Sequence, residues 1–116
     1  MSKYKFFDRT KLRIKSVAER VNKIDTSVML NPDAHAPEIS DLELKLVQEL
    51  SCDIKKAKEN KSAIILAYGA HLFRNGCSPL IIKLMEKGYV TQLLTNGAGA
   101  IHDFEMSYMG ETTEDV

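Results

Sequence analysis

From Asp8 to about Ile24 the apolar residues Leu12, Ile14, Val17, Val21 and Ile24 recur with helix-like spacing, and Asp8 or Thr10 is placed to cap the start. This predicts a one-faced helix. A looser connection follows from Asp25 to Ser40, broken by Asn31-Pro32-Asp33 and Ala36-Pro37. Ser40 and Glu43 have capping-box spacing, and Leu42, Leu46, Val47, Leu50, Ile54 and Ala57 then trace one stripe of a helix ending near Asn60. Beyond it the period changes. Ala63-Ile64-Ile65-Leu66-Ala67-Tyr68 is a continuous apolar run closed by Gly69, the pattern of a parallel strand buried on both faces.

Ser78-Pro79 reads as an N-cap and first helical residue, Leu80, Ile81, Leu84 and Met85 as the apolar face, and Gly88 as the stop. A second strand from Tyr89 to Thr95 runs into Asn96-Gly97-Ala98-Gly99-Ala100, and a further helix is predicted from there to Met109, ended by Gly110. Thr112 or Thr113 reads as the cap of yet another helix. The fold class is therefore α/β: a Rossmann-like parallel sheet in which an N-terminal helical region, residues 1–60, precedes a βαβ unit, residues 61–116. One βαβ unit gives only two parallel strands, so the sheet reads as incomplete.

Charge refines this picture. Sixteen Lys and Arg balance sixteen Asp and Glu, which excludes a nucleic-acid binder working by phosphate neutralisation and an acidic solvating tail. The balance is uneven along the chain: eight basic residues from Lys3 to Lys23 oppose only Asp8 and Glu19, whereas Asp103, Glu105, Glu111, Glu114 and Asp115 have no basic residue among them. Either these are solvated faces, or the basic stretch docks on an acidic partner. Two distant cysteines, no secretory h-region and no apolar run near a membrane-spanning length point to a reducing, cytoplasmic setting.

In open parallel sheets ligands bind beyond the carboxyl ends of strands, which directs attention to the segments after Tyr68 and Thr95. Gly97-Ala98-Gly99-Ala100-Ile101-His102 is a G-x-G-x-x-H pattern entering a helix; it is either a phosphate-binding turn or merely a tight one, since the third glycine of the dinucleotide fingerprint is replaced by His102. The loop from Gly69 to Gly76 brings His71, Arg74 and Asn75 to the neighbouring strand end. His71 and His102 with Asp103 and Glu105 raise a metal site, but the spacing is that of no metal motif and the three residues of the second segment spread over different helix faces, so no metal ligand is assigned. Cys77 reads as a small buried residue.

Across about Ser62 to Asp103 the order of elements resembles the deoxyhypusine synthase family: a strand ending in Tyr68, a polar loop closing at Gly76, a helix with Leu80-Ile81-Ile82-Lys83-Leu84, and a strand Val90 to Thr95 leading into a Gly/Ala turn and an acidic residue. The resemblance implies a Rossmann-like domain that binds NAD and oxidises a polyamine transiently so that its aminobutyl group passes to an amine acceptor. By position it gives Ala70, His71 and Asn75, with Asn96, Gly97 and Ala98, as cofactor contacts, and His102 and Asp103 as substrate contacts. His102 departs from the family's acidic pair, which implies a different amine, such as a diamine or an agmatine-like compound. The family's catalytic lysine falls outside this chain, so no catalytic residue is assigned, the chain alone is expected to be inactive, and it reads as the N-terminal portion of a truncated or split enzyme. A homo-oligomer, a tetramer in the family, is implied as well, with neither nucleic acid nor membrane as partner. Two other readings remain beside it: a non-catalytic interaction or regulatory module docking through its basic N-terminal helix, and a metal-dependent hydrolase using His71 and His102.

Overall fold

The longest helix, α1, runs Asp41–Glu59 and begins where the capping box places it. The Ser40 hydroxyl accepts from the Glu43 N–H at 3.3 Å, and the Glu43 carboxylate accepts from the Ser40 N–H at 2.8 Å. This computed structural model describes residue 4 and residues 6–115. After α1 come the strand β2 (Ile65–Tyr68), a single turn of helix α2 (His71–Arg74), α3 (Ser78–Glu86), β3 (Gln92–Thr95) and α4 (Gly97–Met109). β2 and β3 pair in parallel, with Ile65 opposite Gln92 and Tyr68 opposite Thr95. The predicted βαβ unit is therefore present, and the α/β class holds. Cys77 occupies the N-cap of α3 without a side-chain bond, so Ser78 is its first residue rather than its cap. Gly88 and Gly110, at φ +67° and +72°, end α3 and α4.

The N-terminal stretch departs from its predicted helix. Residues 8–24 hold two turns of 3-10 helix, Arg9–Lys11 and Val17–Glu19, followed by β1 (Asn22–Asp25). Asp8 accepts from the N–H of Thr10 and Ser16 from that of Ala18, each two residues on, so short polar side chains close local turns that compete with an i to i−4 ladder. A distant partner then settles the conformation: β1 pairs antiparallel with β4 (Glu111–Glu114), placing Asn22 opposite Glu114 and Ile24 opposite Thr112. β4 is itself the segment where Thr112 and Thr113 read as helix caps. Their β-branched side chains suit a strand once a partner strand is available. Lys3 and Lys5 of the basic stretch lie outside the described residues.

Between β1 and α1 the chain crosses the α2–α3 corner. The Leu30 N–H donates to the Gly76 carbonyl at 2.9 Å, and the Lys83 ammonium bonds the Asp33 carboxylate. The buried apolar centre is small, comprising Phe73, Ile81, Val90 and Met106, with Phe73 edge-on to Tyr68 at 5.2 Å. The full burial predicted for the Ala63–Tyr68 run is not reached within this chain, because Ala63, Ile65 and Ala67 are exposed. The radius of gyration is 19.3 Å, against about 13 Å for a compact domain of this length. Among the described residues no helix is long and apolar enough to cross a membrane, and both cysteines are free.

Candidate functional site

The parallel pairing brings the carboxyl ends of β2 and β3 side by side, Tyr68 against Thr95, and both chains turn there into helices that pack on each other, α2 and α4. The Thr95 hydroxyl donates to the Tyr68 carbonyl at 3.1 Å, joining the two strand ends just before they diverge. Asn96 caps α4: its side-chain oxygen accepts from the Gly99 N–H at 2.9 Å, and its backbone carbonyl accepts from Ala100. By helix geometry the N–H groups of Gly97 and Ala98, in the first turn, have no acceptor within the helix. They point outward with the positive end of the helix dipole, the arrangement that receives an anionic oxygen.

The glycines divide the work. A Cβ on Gly97 would meet nothing within 4 Å, so the mouth of the helix is open. A Cβ on Gly99 would stand 2.1 Å from the Thr95 hydroxyl, so Gly99 is what lets α4 press against β3. Close helix–strand packing is the role of the third glycine in the dinucleotide fingerprint. Here Gly99 stands at the second glycine position and its close neighbour is Thr95, four residues earlier, while the third position is His102.

Of the residues singled out by sequence, Asn96, Gly97 and Ala98 form this helix mouth. Ala70 and His71 begin α2 on the adjoining strand end, His71 exposed, and Asn75 ends it with its N–H donating to the His71 carbonyl. Gly69 lies against the Asn96 side chain, with a Cβ there 3.8 Å from its nitrogen, so the two loops meet. Asp103 is exposed on α4. His102 faces another cluster: its Nδ1 lies 2.6 Å from the Thr112 hydroxyl, and that hydroxyl donates to the Glu105 carboxylate at 2.5 Å. The Arg20 guanidinium completes the group by donating to Glu105 at 2.6 Å. Thr112 is fully buried, and the side chains of His102, Glu105 and Arg20 are largely so.

Nothing in the sequence pairs Arg20 with Glu105, 85 residues apart; only the β1–β4 ladder brings them together. Burial pushes the Glu105 carboxyl up, but the hydrogen bonds from Arg20 and Thr112 and the charges of Arg20 and His102 outweigh it and hold it below the ordinary glutamate value. A depressed folded value means that the stabilisation is complete above the unfolded pKa and is lost as pH falls through the folded one. Thermal melts from pH 7 to pH 3 are expected to show the parent losing stability steeply below about pH 4. Glu105→Gln starts lower at pH 7 and falls less; parallel curves for the two proteins would contradict this account.

The open parallel sheet with a glycine-bearing helix mouth at its carboxyl edge defines a Rossmann-type α/β domain. Residues 48–114, more than half of the chain, match the family of arginine dihydrolase ArgZ-like C-terminal Rossmann-fold domains, and the chain belongs to that family. No curated protein and no solved structure matches it.

This assignment overturns the deoxyhypusine synthase resemblance and the NAD-dependent aminobutyl transfer from a polyamine that it carried. The physical reason lies in the generality of the pattern. A strand, polar loop, helix, strand and Gly/Ala turn in that order is what any Rossmann-type βαβ unit requires, so it identifies the architecture and leaves the chemistry open. The two companion readings gain nothing either. For a metal-dependent hydrolase, the described residues include no group of three or more His, Cys, Asp or Glu side chains able to hold a metal ion, and His102 is engaged with Thr112. For a regulatory module docking through a basic helix, the described part of that stretch forms 3-10 turns and a strand.

Proposed function

We propose that this chain is the nucleotide-binding Rossmann unit of an arginine-dihydrolase-like protein, with the phosphates of the nucleotide seated at the α4 mouth. The observation that supports it most is the pair of glycines: Gly99 permits α4 to close on β3, and Gly97 leaves the helix mouth free for a ligand. In this reading the N–H groups of Gly97 and Ala98 take the phosphate oxygens and Asn96 holds the turn in shape. Ala70, His71 and Asn75 form the facing wall, and Asp103 lies exposed farther along α4, whereas His102 is engaged by Thr112. Free cysteines suit a reducing, cytoplasmic location.

Isothermal titration of NAD and of ATP into the purified protein tests the proposal. At least one should bind saturably, and Gly97→Val should weaken that ligand at least about tenfold, a change of about 1.4 kcal/mol. The position has room for a side chain in the free protein, so the melting temperature should hardly change. Absence of saturable binding of either ligand at millimolar concentration, or equal affinity in Gly97→Val, would sink the proposal.

A further inference from the structure

The chain has three histidines, His35, His71 and His102. His35 and His71 are exposed, and among the described residues neither ring is held by another side chain, whereas the His102 ring is fixed by Thr112. The direction of that bond follows from counting protons. The Glu105 carboxylate, ionised beside the Arg20 guanidinium, only accepts: it takes a hydrogen from Arg20 on one oxygen at 2.6 Å and from the Thr112 hydroxyl on the other at 2.5 Å. A hydroxyl has one proton to give, and this one is spent on the carboxylate. His102 Nδ1, 2.6 Å from the same hydroxyl oxygen, must therefore carry a hydrogen and donate it. The neutral ring is left with its lone pair on Nε2. Among the described residues the buried side-chain atoms without a partner are Arg20 Nε, Asn22 Oδ1, Arg74 Nε and Thr113 Oγ1. His102 Nε2 is not one of them and makes no hydrogen bond there, so its lone pair is open to a ligand.

We propose that His102 is a general base, whose Nε2 takes a proton from a hydroxyl or ammonium group of a bound small molecule. The lone pair of Nε2 forms the new N–H bond, and the electrons of the broken O–H or N–H bond stay on the donor. Thr112 and Glu105 are positioning residues that act through His102, in the order carboxylate, hydroxyl, imidazole, so that the base is itself oriented by further groups. Proton uptake leaves their bonds intact. The imidazolium still donates through Nδ1 to Thr112, and the Glu105 carboxylate lies 3.8 Å from that nitrogen to oppose the new charge. Arg20 keeps Glu105 ionised, so the proton stays on the ring, and Glu114, 3.7 Å from Arg20 Nε, offsets part of the repulsion from the guanidinium. By helix geometry His102 stands one turn beyond Ala98 on the same face of α4, alongside the helix mouth. The tautomer belongs to the free protein, so the proposal stands whether or not a nucleotide binds there.

Nitrogen-15 NMR of the imidazole rings tests this, first at about pH 9, well above the ordinary histidine value. In the parent, His102 should show a protonated Nδ1 and a pyridine-type Nε2. On lowering the pH, the incoming proton should move the Nε2 signal and leave Nδ1 nearly fixed. Glu105→Gln should invert the tautomer: the amide must give its oxygen to Arg20 and its NH2 to Thr112, so the hydroxyl turns its own proton to Nδ1 and the ring proton moves to Nε2. Thr112→Ser keeps the hydroxyl and should keep the parental tautomer. Carbethoxylation with diethyl pyrocarbonate, mapped by mass spectrometry, reads whether the lone pair is reachable, and His102 should react in the parent as the exposed His71 does. The parental spectrum and the parental labelling need no variant, so they decide the matter if a substitution prevents folding. A parental ring protonated on Nε2, a tautomer that Glu105→Gln leaves unchanged in a folded protein, or a His102 left unmodified while His71 is carbethoxylated would each overturn the proposal.

Discussion

Gly76→Ala is expected to destabilise the fold by about 3–5 kcal/mol, and at the upper end to prevent it from forming at all. Gly76 sits at φ +73°, where a side chain is strained in any surroundings. Its surroundings make the substitution worse. A Cβ there would lie 1.9 Å from the Val28 carbonyl oxygen and 2.9 Å from the Met29 Cα, both backbone atoms. Neither can rotate away as a side-chain atom could, and the Leu30 N–H bond to the Gly76 carbonyl holds the two segments in register. Relief therefore requires the segment after β1 to lift off the α2–α3 corner. Urea unfolding of parent and variant measures the effect, and a loss below 1 kcal/mol would show that this close approach does not exist in solution.

Gly99→Ala is the second large effect and has a different physical character. In an open helix the change would stabilise by about 1 kcal/mol through helix propensity. Here the added Cβ falls 2.1 Å from the Thr95 hydroxyl, which must swing away and give up its bond to the Tyr68 carbonyl. A net loss of about 2 kcal/mol is expected, from the abandoned hydrogen bond and the displaced helix start. The obstacle is chiefly a side-chain atom, so Thr95→Ala should recover part of the loss: the double variant should be more stable than the sum of the single changes predicts, by 1 kcal/mol or more. Additive effects in denaturant titrations would mean that α4 does not rest on Thr95.

These two glycines illustrate what could be read from residue order and what could not. Gly88 and Gly110 announce helix ends by position alone, and the Ser40–Glu43 pair announces a helix start, because both signals are local and act within four residues. The βαβ unit was legible for the same reason: the change of hydrophobic period at Ala63 is visible in the chain itself. Gly76 and Gly99 matter through atoms that arrive from elsewhere, Val28 in one case and the preceding strand's hydroxyl in the other. The first needs a segment 48 positions away, and no spacing rule reports it.

The N-terminal stretch shows the limit more sharply. Leu12, Ile14, Val17, Val21 and Ile24 satisfy a helical period, yet Asp8 and Ser16 turn the chain locally and β4 draws Asn22–Asp25 into a ladder. A partner strand some 90 positions away overrode the local pattern. The same blindness applies to the site. Asn96, Gly97 and Ala98 were found because a helix start after a strand carries its own signature. In the Arg20–Glu105–Thr112–His102 cluster, His102 and Glu105 stand one turn apart on a shared face of α4, although the sequence reading spreads them over different faces, and Arg20 joins them only through tertiary structure. The family, in turn, could not be distinguished from the order of elements, since that order is shared by many Rossmann-type domains.

The segment ending in β1 acts on α4 and β4 as a ligand acts on a receptor, carried on a tether. Its contacts, the single Arg20 hydrogen bond to Glu105 and the ladder from Asn22 to Asp25, are those of a short peptide added to a sheet edge. The intervening chain sets the local concentration of that peptide, and closing a tether costs only about 0.6 kcal/mol more for each doubling of its length. The chain between β1 and β2 can therefore accept inserted residues with little loss of the β1–β4 ladder, whereas a change at Arg20 or Glu105 alters the intrinsic affinity and no linker length makes it good.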